Sequence, residues 1–290
     1  MTAIFQYNRS MEVTWRKAGK VLLYIVGVWI LIYLILLVVF RPSHDRDWEL
    51  GHEKLPHIVY STTSSLVTIE NYRDFSWTAV NQAEARYVTK TFDLAKIDSV
   101  DVFISHFDDF EGLAHIFLSF GFVDDEQIVI SLETRRELDE SFSPLLGLLR
   151  QFEIIYVVGS EADIVGVRTG YRDERVYLYP TKANATQAGE LFRELANDIN
   201  AIYKKPLMYN TLTNNCTNKL TRPVERISDV RFPLTWKTVL PGYFDEILYK
   251  LGLIDTVGTF SEVKVNHLLD NTKLDTQSKT YSLDIRAELK

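Results

Sequence analysis

A single uninterrupted apolar segment near the N-terminus constrains this chain more than any other feature. Residues Val21 to Phe40 read VLLYIVGVWILIYLILLVVF, which contains neither a charged residue nor a proline. At about 1.5 Å of rise per residue, a helix of this length crosses the roughly 30 Å hydrocarbon core of a bilayer. A buried core helix is the alternative, but it would need packing partners at every angle because the stretch is apolar all round. We therefore predict a transmembrane anchor over residues 21–40.

The residues on either side of the apolar segment predict whether it is cleaved and how it is oriented in the membrane. A cleavable signal sequence has a shorter apolar run that ends in small residues, whereas Phe40 is followed by Arg-Pro-Ser-His, so we expect a retained anchor. A cluster of basic residues comes just before the span: Arg9, Arg16, Lys17 and Lys20. By the positive-inside rule, residues 1–20 lie in the cytoplasm and the rest of the chain lies outside. In a bacterium, this predicts a single pass through the inner membrane with the main domain in the periplasm.

The composition of the chain predicts a folded domain that does not bind nucleic acid. Hydrophobic residues make up 46% and charged residues 24% of the 290 residues, which is ordinary globular usage. The formal net charge of -7 provides no basic surface for nucleic acid. Residues 41–57 are polar without a period and predict a tether. Residues 256–290 predict a polar, partly disordered tail, which leaves one domain at 58–255.

Within residues 58–255 the pattern changes from strands to helices. Short runs rich in β-branched and aromatic residues predict strands at 66–70, 87–92, 100–106, 114–123, 127–133, 153–159 and 175–180. Asp124-Asp125-Glu126 predicts a hairpin turn between two of these strands. Apolar residues at helical spacing then predict helices at 185–203, 216–227 and 242–251. This order predicts an α+β domain with a mostly antiparallel sheet and packed helices.

Cys216 is the only cysteine, which excludes an intrachain disulfide and a multi-cysteine metal site. It follows Asn214 and Asn215 where a loop meets a predicted helix, and Asn is a favoured N-cap. The free N–H groups and partial positive charge of a helix N-terminus stabilise a thiolate and can form an oxyanion hole. Cys216 is therefore a candidate nucleophile, and Asn215 and Thr217 are candidates for positioning or for the oxyanion hole. A buried structural cysteine explains the same pattern equally well.

His115 lies on a predicted strand among apolar neighbours, where a hydrogen-bonded core histidine is more common than a catalytic base. Counting back from a turn near Asp125 places it opposite Thr134 or Arg135 of the next strand. Glu133 or Arg135 then shares its face, depending on the register. A carboxylate beside an imidazole fixes its orientation in a catalytic triad. A salt bridge between Glu133 and a neighbouring arginine is the alternative.

His106 is a second histidine with acidic neighbours, Asp108 and Asp109. Their spacing does not match the ligand spacing of a recognisable metal scaffold. We therefore predict neither a metal nor another cofactor.

Four ordered blocks of sequence resemble the Lnb-type periplasmic domain, a family long labelled a domain of unknown function. They are AHIFLSFGF at 114–122, SLETRRE at 131–137, QFEIIYVV at 151–158 and YNTLTNNCT at 209–217. NYRDF at 71–75 and LPGY at 240–243 also fit. The resemblance covers about residues 58–254, which is most of the chain outside the anchor.

The resemblance implies a circularly permuted papain-like fold, similar to NlpC-type peptidases and to lecithin:retinol acyltransferase, in which the histidine precedes the cysteine. It implies that Cys216 forms a thioester, that His115 is its base and, by analogy of fold, that Glu133 orients His115. Tyr209, from the same block as Cys216, and Arg135 are added as positioning candidates. The named member of the family is a lipoprotein N-acyltransferase, so the expected substrates are membrane lipids or lipoproteins.

One departure from the family leaves alternatives open. The acyltransferases of this family carry further membrane helices after the domain, whereas no stretch after Phe40 is apolar enough to span a bilayer. The chain is therefore expected to share the chemistry, as a transferase or a lipid acyl hydrolase, without necessarily sharing the lipoprotein substrate. A cell-wall peptide amidase or peptidase with the same dyad, and a non-catalytic envelope binding protein, are the other hypotheses.

Overall fold

The computed structural model describes the backbone of residues 2–287 and 289, and side chains from residue 15 onward within that range. Helix α1 (Thr2–Val39) opens the chain. Its segment Trp15–Val39 has a mean hydropathy of 3.0, and none of it is buried against the rest of the molecule. This segment is long and apolar enough to cross a membrane, which confirms a helix of that kind at the predicted place.

The strands that follow α1 form one large sheet and a small separate hairpin. Their bounds are β1 (His57–Tyr60), β2 (Leu66–Arg73), β3 (Ser76–Ala79), β4 (Gln82–Glu84), β5 (Tyr87–Asp93), β6 (Ile97–His106), β7 (Ala114–Phe122), β8 (Gln127–Arg135), β9 (Glu153–Gly159) and β10 (Arg175–Pro180). The large sheet has the order β1-β2-β9-β8-β7-β6-β10, with β5 also paired to β2, while β3 and β4 pair with each other. All of these pairings are antiparallel except β2 with β9. The mostly antiparallel α+β fold is confirmed.

The helices after α1 are mostly in the second half of the chain. They are α2 (Pro144–Leu148), α3 (Glu161–Ile164), α4 (Ala185–Lys204), α5 (Cys216–Ile227), α6 (Trp236–Val239), α7 (Phe244–Lys250), α8 (Phe260–Asn266) and α9 (Tyr281–Ala287). α4 and α5 begin where the apolar spacing predicted them. The third predicted helix is shorter than expected, because residues 241–243 form a separate 3₁₀ turn before α7.

Helices cover both faces of the large sheet, so the sheet is the middle layer of the domain. On one face, α4 buries an apolar stripe that includes Phe192, whose ring meets Phe120 of β7 edge-on. α5 packs beside α4 in the same core. On the other face, Tyr281 and Ile285 of α9 are buried with the stacked rings of Phe103 and Phe117.

The hairpin between β7 and β8 sets the register on which the candidate site depends. Asp125 occupies the left-handed region with φ 62°, and Gly121 pairs with Gln127 across the turn. Phe117 consequently pairs with Ser131. Continuing this ladder by two residues brings His115 level with Glu133 instead of Thr134 or Arg135. The predicted register was therefore off by one to two residues, because the hairpin is centred on Asp124 and the count was made from Asp125.

The expected tether and tail both fold onto the domain in the part of the chain that the structure describes. Trp48 is buried, and the Arg135 guanidinium lies 3.9 Å from the centre of its ring. In the C-terminal stretch, Val263, Tyr281 and Ile285 are buried. These isolated anchoring residues have no regular spacing, which explains why the sequence predicted an unpacked tether and tail.

Candidate active site

Cys216 is the first residue of α5, and an asparagine fixes the start of that helix. Asn215 is the N-cap, and its Oδ1 accepts a hydrogen bond from the Asn218 N–H at 2.8 Å. Its Nδ2 donates to the Thr211 carbonyl at 2.6 Å, which ties the preceding loop to the helix. The amide groups of the first helical turn point out of the helix end and present a partial positive charge. The Cys216 sulfur therefore lies at a helix terminus that stabilises negative charge.

His115, Ser131 and Glu133 form a chain of short hydrogen bonds at the end of β7 and β8. Ser131 Oγ donates to Glu133 Oε1 at 2.7 Å, and His115 Nε2 lies 2.6 Å from the same hydroxyl oxygen. His115 Nε2 is also 3.3 Å from Glu133 Oε1. Because the only Ser131 hydroxyl hydrogen is donated to Glu133, Nε2 must donate to Ser131. The second ring nitrogen, Nδ1, takes no part in this chain of hydrogen bonds, and His115 also has a side-chain hydrogen bond with Cys216.

The pKa of His115 is raised to about 9 by its surroundings. Burial lowers this pKa, but the Glu133 carboxylate and side-chain hydrogen bonds with Cys216 and Glu133 raise it by more. Burial likewise raises the pKa of Glu133, while the positive charges of His115 and Arg168 hold it well below its ordinary value. At neutral pH the site therefore contains an imidazolium between a carboxylate and the Cys216 sulfur. A cationic group beside a cysteine is the kind of environment in which reactive cysteines are found.

Arg168 and Ser131 complete the site, and sequence reasoning missed both. Arg168 Nη2 donates to Glu133 Oε1 at 2.9 Å, and its guanidinium lies 4.9 Å from the centre of the Phe117 ring. The alternation of Ser131 with Glu133 along one strand face was a usable signal. Arg168 gave no such signal, because it comes from a π-helical turn at residues 167–171 that no spacing rule connects to β8.

Cys216, His115 and Glu133 line one cavity of about 390 Å³. Three arginines contribute to its wall: Arg136, Arg168 and Arg172. Apolar side chains line much of the remainder, among them Phe107, Phe142 and Leu240. The cavity thus combines the Cys–His pair with cationic and apolar surfaces.

The other candidate residues differ in whether they reach this cavity. Tyr209 and Asn215 line it, whereas Thr217 and Arg135 do not. Burial and the neighbouring charge of Cys216 raise the pKa of Tyr209, so its hydroxyl stays protonated. The Thr217 side chain is fully buried, and its hydroxyl has no hydrogen-bond partner among the described residues. Arg135 donates to the carbonyl groups of His52 and Glu53 and so secures the N-terminal segment of the domain.

His106 is buried away from these groups and packs edge-on against Tyr177. Burial lowers its pKa to about 4, so the ring is neutral at pH 7. Within the residues that the structure describes, no group of three or more His, Cys, Asp or Glu side chains is arranged to hold a metal ion.

Fold and site together define a class: a membrane-associated α+β protein in which a cysteine at a helix N-terminus, a histidine and a glutamate meet in one cavity. The model of the Lnb N-terminal periplasmic domain family matches residues 83–242, more than half of the chain. The chain belongs to this family, as the ordered sequence blocks predicted. No curated protein and no solved structure gave a significant match. The family and the apolar α1 helix indicate a periplasmic, membrane-associated protein, compatible with a single membrane pass.

Proposed function

We propose that this protein is a membrane-anchored periplasmic enzyme that transfers or hydrolyses acyl groups through a thioester on Cys216. The observation that carries the proposal is the convergence of Cys216, His115 and Glu133, which are far apart in sequence, at a single cavity. The relay from Glu133 through Ser131 orients the imidazole and leaves one ring nitrogen free to face the cysteine. A merely structural cysteine would need none of these contacts.

The proposed reaction has two steps. In the first, the Cys216 thiolate attacks the carbonyl carbon of an acyl ester; the C–S bond forms, and the alkoxide leaves with the proton of the His115 imidazolium. In the second, His115 takes a proton from an acceptor amine or water, which attacks the thioester, and the C–S bond breaks to restore the thiolate. We assign stabilisation of the oxyanion in both steps to the amide groups at the start of α5 and to the hydroxyl of Tyr209, which lines the same cavity as Cys216.

The anchor supports a substrate in or on the membrane. We propose that α1 passes once through the inner membrane, with its N-terminus in the cytoplasm and the domain in the periplasm. Tethering raises the local concentration of the domain at the lipid surface. Phospholipid acyl chains and lipoproteins are then the nearest acyl donors and acceptors. The papain-like superfamily relation that the sequence blocks imply favours the same thioester chemistry.

The test uses the full-length protein in lipid nanodiscs, incubated with isolated bacterial membranes. Mass spectrometry of the intact protein should reveal an acyl adduct, and peptide mapping should assign it to Cys216. The Cys216→Ala variant should carry no adduct, and His115→Ala should form it about 10²- to 10⁴-fold more slowly, as expected for loss of a general base. Formation of the adduct in Cys216→Ala at the wild-type rate would refute the assignment.

The same samples separate the competing activities. N-acylation of lipoproteins marks a transferase, and free fatty acid marks a hydrolase. Release of cell-wall peptide without an acyl adduct would instead identify an amidase or peptidase. If Cys216→Ala changes none of these products, the protein is not a cysteine-dependent enzyme.

A further inference from the structure

A second cavity of about 280 Å³ lies between α5 and the sheet, on the α4 side of the domain. Its lining is mainly apolar and includes Val102, Leu118, Leu191, Leu220, Val224 and Leu248. Protein interiors are close-packed, and an unfilled apolar void of this size reduces stability. Apolar cavities of smaller size are known to stay dry and to bind apolar ligands.

Helix α5 connects this cavity to the candidate nucleophile. Leu220, Val224 and Ile227 follow Cys216 at spacings of four, eight and eleven residues, so the four share one face of the helix. At 1.5 Å per residue, this stripe extends about 16 Å from Cys216. The three apolar members of the stripe line the cavity. The sulfur therefore lies at one end of an apolar path that the cavity continues.

A small pocket, the neck, shares lining residues with both ends of this path. It has a volume of about 20 Å³ and is lined by Cys216, Ile116, Leu118 and Leu220 among others. Leu118 and Leu220 line the neck and the cavity alike. Because a neck of this size holds only about one water molecule, one of these side chains must change rotamer before a chain can pass.

The polar residues of the cavity wall mark its far opening. Lys182 and Gln187 line the cavity and are exposed to solvent, while Leu191 and Leu220 are buried. A long apolar group in this cavity therefore contacts buried apolar walls and reaches solvent at Lys182 and Gln187.

We propose that this second cavity holds the aliphatic chain of a long-chain acyl group while its carbonyl carbon is bonded to Cys216 Sγ. The inference rests on the proposed acyl chemistry and specifies the acyl group as a long hydrocarbon chain. The arginine-bearing cavity on the other side of Cys216 is then left for the leaving group and the acceptor. A peptide acyl group, with its several polar amides, fits this mainly apolar lining less well than a hydrocarbon chain does.

The first experiment compares a short with a long acyl donor on the full-length protein in nanodiscs. p-Nitrophenyl acetate and p-nitrophenyl palmitate each acylate a thiolate with release of p-nitrophenolate, and intact mass spectrometry follows the adduct. Wild type should react faster with palmitate. Val224→Phe fills the cavity and should lower the ratio of the palmitate rate to the acetate rate by about tenfold, the effect of excluding about two CH₂ groups.

The matched control is Val257→Phe, the same substitution at a residue that is 93% exposed, and it should behave as wild type with both esters. An equal loss of reaction with acetate and palmitate in Val224→Phe, or no loss with either, would overturn the assignment of the cavity.

A second experiment separates failure of this inference from failure of the proposed function. Photoreactive diazirine palmitate is cross-linked to the Cys216→Ala variant, in which no thioester can form, and the labelled peptides are mapped. Labelling of α4 and α5 at the cavity, reduced by Val224→Phe, supports the chain site even if wild type never acylates Cys216. Labelling that avoids these helices, or that Val224→Phe leaves unchanged, refutes it.

Discussion

Glu133 determines the protonation state of His115. Its carboxylate attracts the imidazolium directly and also through Ser131, and these contacts outweigh the burial that would otherwise keep the ring neutral. Arg168 in turn binds Glu133 and helps to keep it ionised. The histidine is therefore charged at neutral pH because of Glu133 and, through Glu133, because of Arg168.

Replacing Glu133 with glutamine should lower the pKa of His115 from about 9, because the Coulombic attraction is lost and burial remains. NMR titration of histidine-labelled protein measures this pKa directly. Glu190→Gln, at an exposed position of α4, is the control and should leave the titration unchanged. An unaltered His115 pKa in Glu133→Gln would mean that Glu133 does not hold the proton on the ring.

The raised pKa of His115 also predicts how stability depends on pH. The folded value of about 9 lies above the ordinary 6.5, so the ion pair stabilises the fold fully below about pH 6.5 and the benefit is lost as pH rises through 9. The difference corresponds to a free energy of unfolding on the order of 3 kcal/mol. Chemical denaturation between these pH values should show this loss in wild type, and Glu133→Gln should show little of it.

At this scale the sequence predicted Cys216, His115 and Glu133, which the structure brings together in one cavity. It could not distinguish Glu133 from Arg135, because both alternate onto the same strand face and only the turn geometry sets which is level with His115. The sequence could not predict the role of Arg168, because its contact with Glu133 depends on how a π-helical turn packs against the sheet.

Helix α5 is the element that positions Cys216, the proposed nucleophile, and its N-cap residue Asn215 also binds the loop before the helix. Asn215→Ala should reduce the free energy of unfolding by about 1 kcal/mol through loss of the cap. Because the Asn215 side chain also anchors the Thr211 carbonyl, the substitution should slow alkylation of Cys216 by iodoacetamide as well. Both quantities are measured on the full-length protein in detergent.

Asn184→Ala is the matched control for Asn215→Ala, because it also removes the N-cap of a helix. Asn184 caps α4 through the Gln187 amide in the same way, but at an exposed site that does not line the Cys216 cavity. It should lose a similar amount of stability and keep the wild-type alkylation rate. Equal slowing in both variants would show that general destabilisation, and not the position of Cys216, controls reactivity.

At the scale of the whole molecule, the C-terminal stretch is part of the folded domain. Arg286 of α9 lies 2.7 Å from Asp101 of β6 and 2.8 Å from Glu161 of α3, and both carboxylates are buried. One side chain thus joins the end of the described chain to the sheet and to the helix beside it. Local sequence patterns did not predict this closure, because it depends on three residues that are distant in the chain.

Replacing Arg286 with methionine leaves two buried carboxylates without their shared cation, which typically costs about 3–5 kcal/mol. The loss should shrink as the pH is lowered from about 7 to about 5, because burial already raises the pKa of Asp101 and its protonation then relieves the unpaired charge. Arg226→Met, which breaks a half-exposed pair with Glu194, should cost no more than about 1 kcal/mol. Two results would contradict this role of Arg286 in pairing with Asp101 and Glu161. One is an equal loss of unfolding free energy in the two variants, and the other is a loss in Arg286→Met that increases as the pH is lowered.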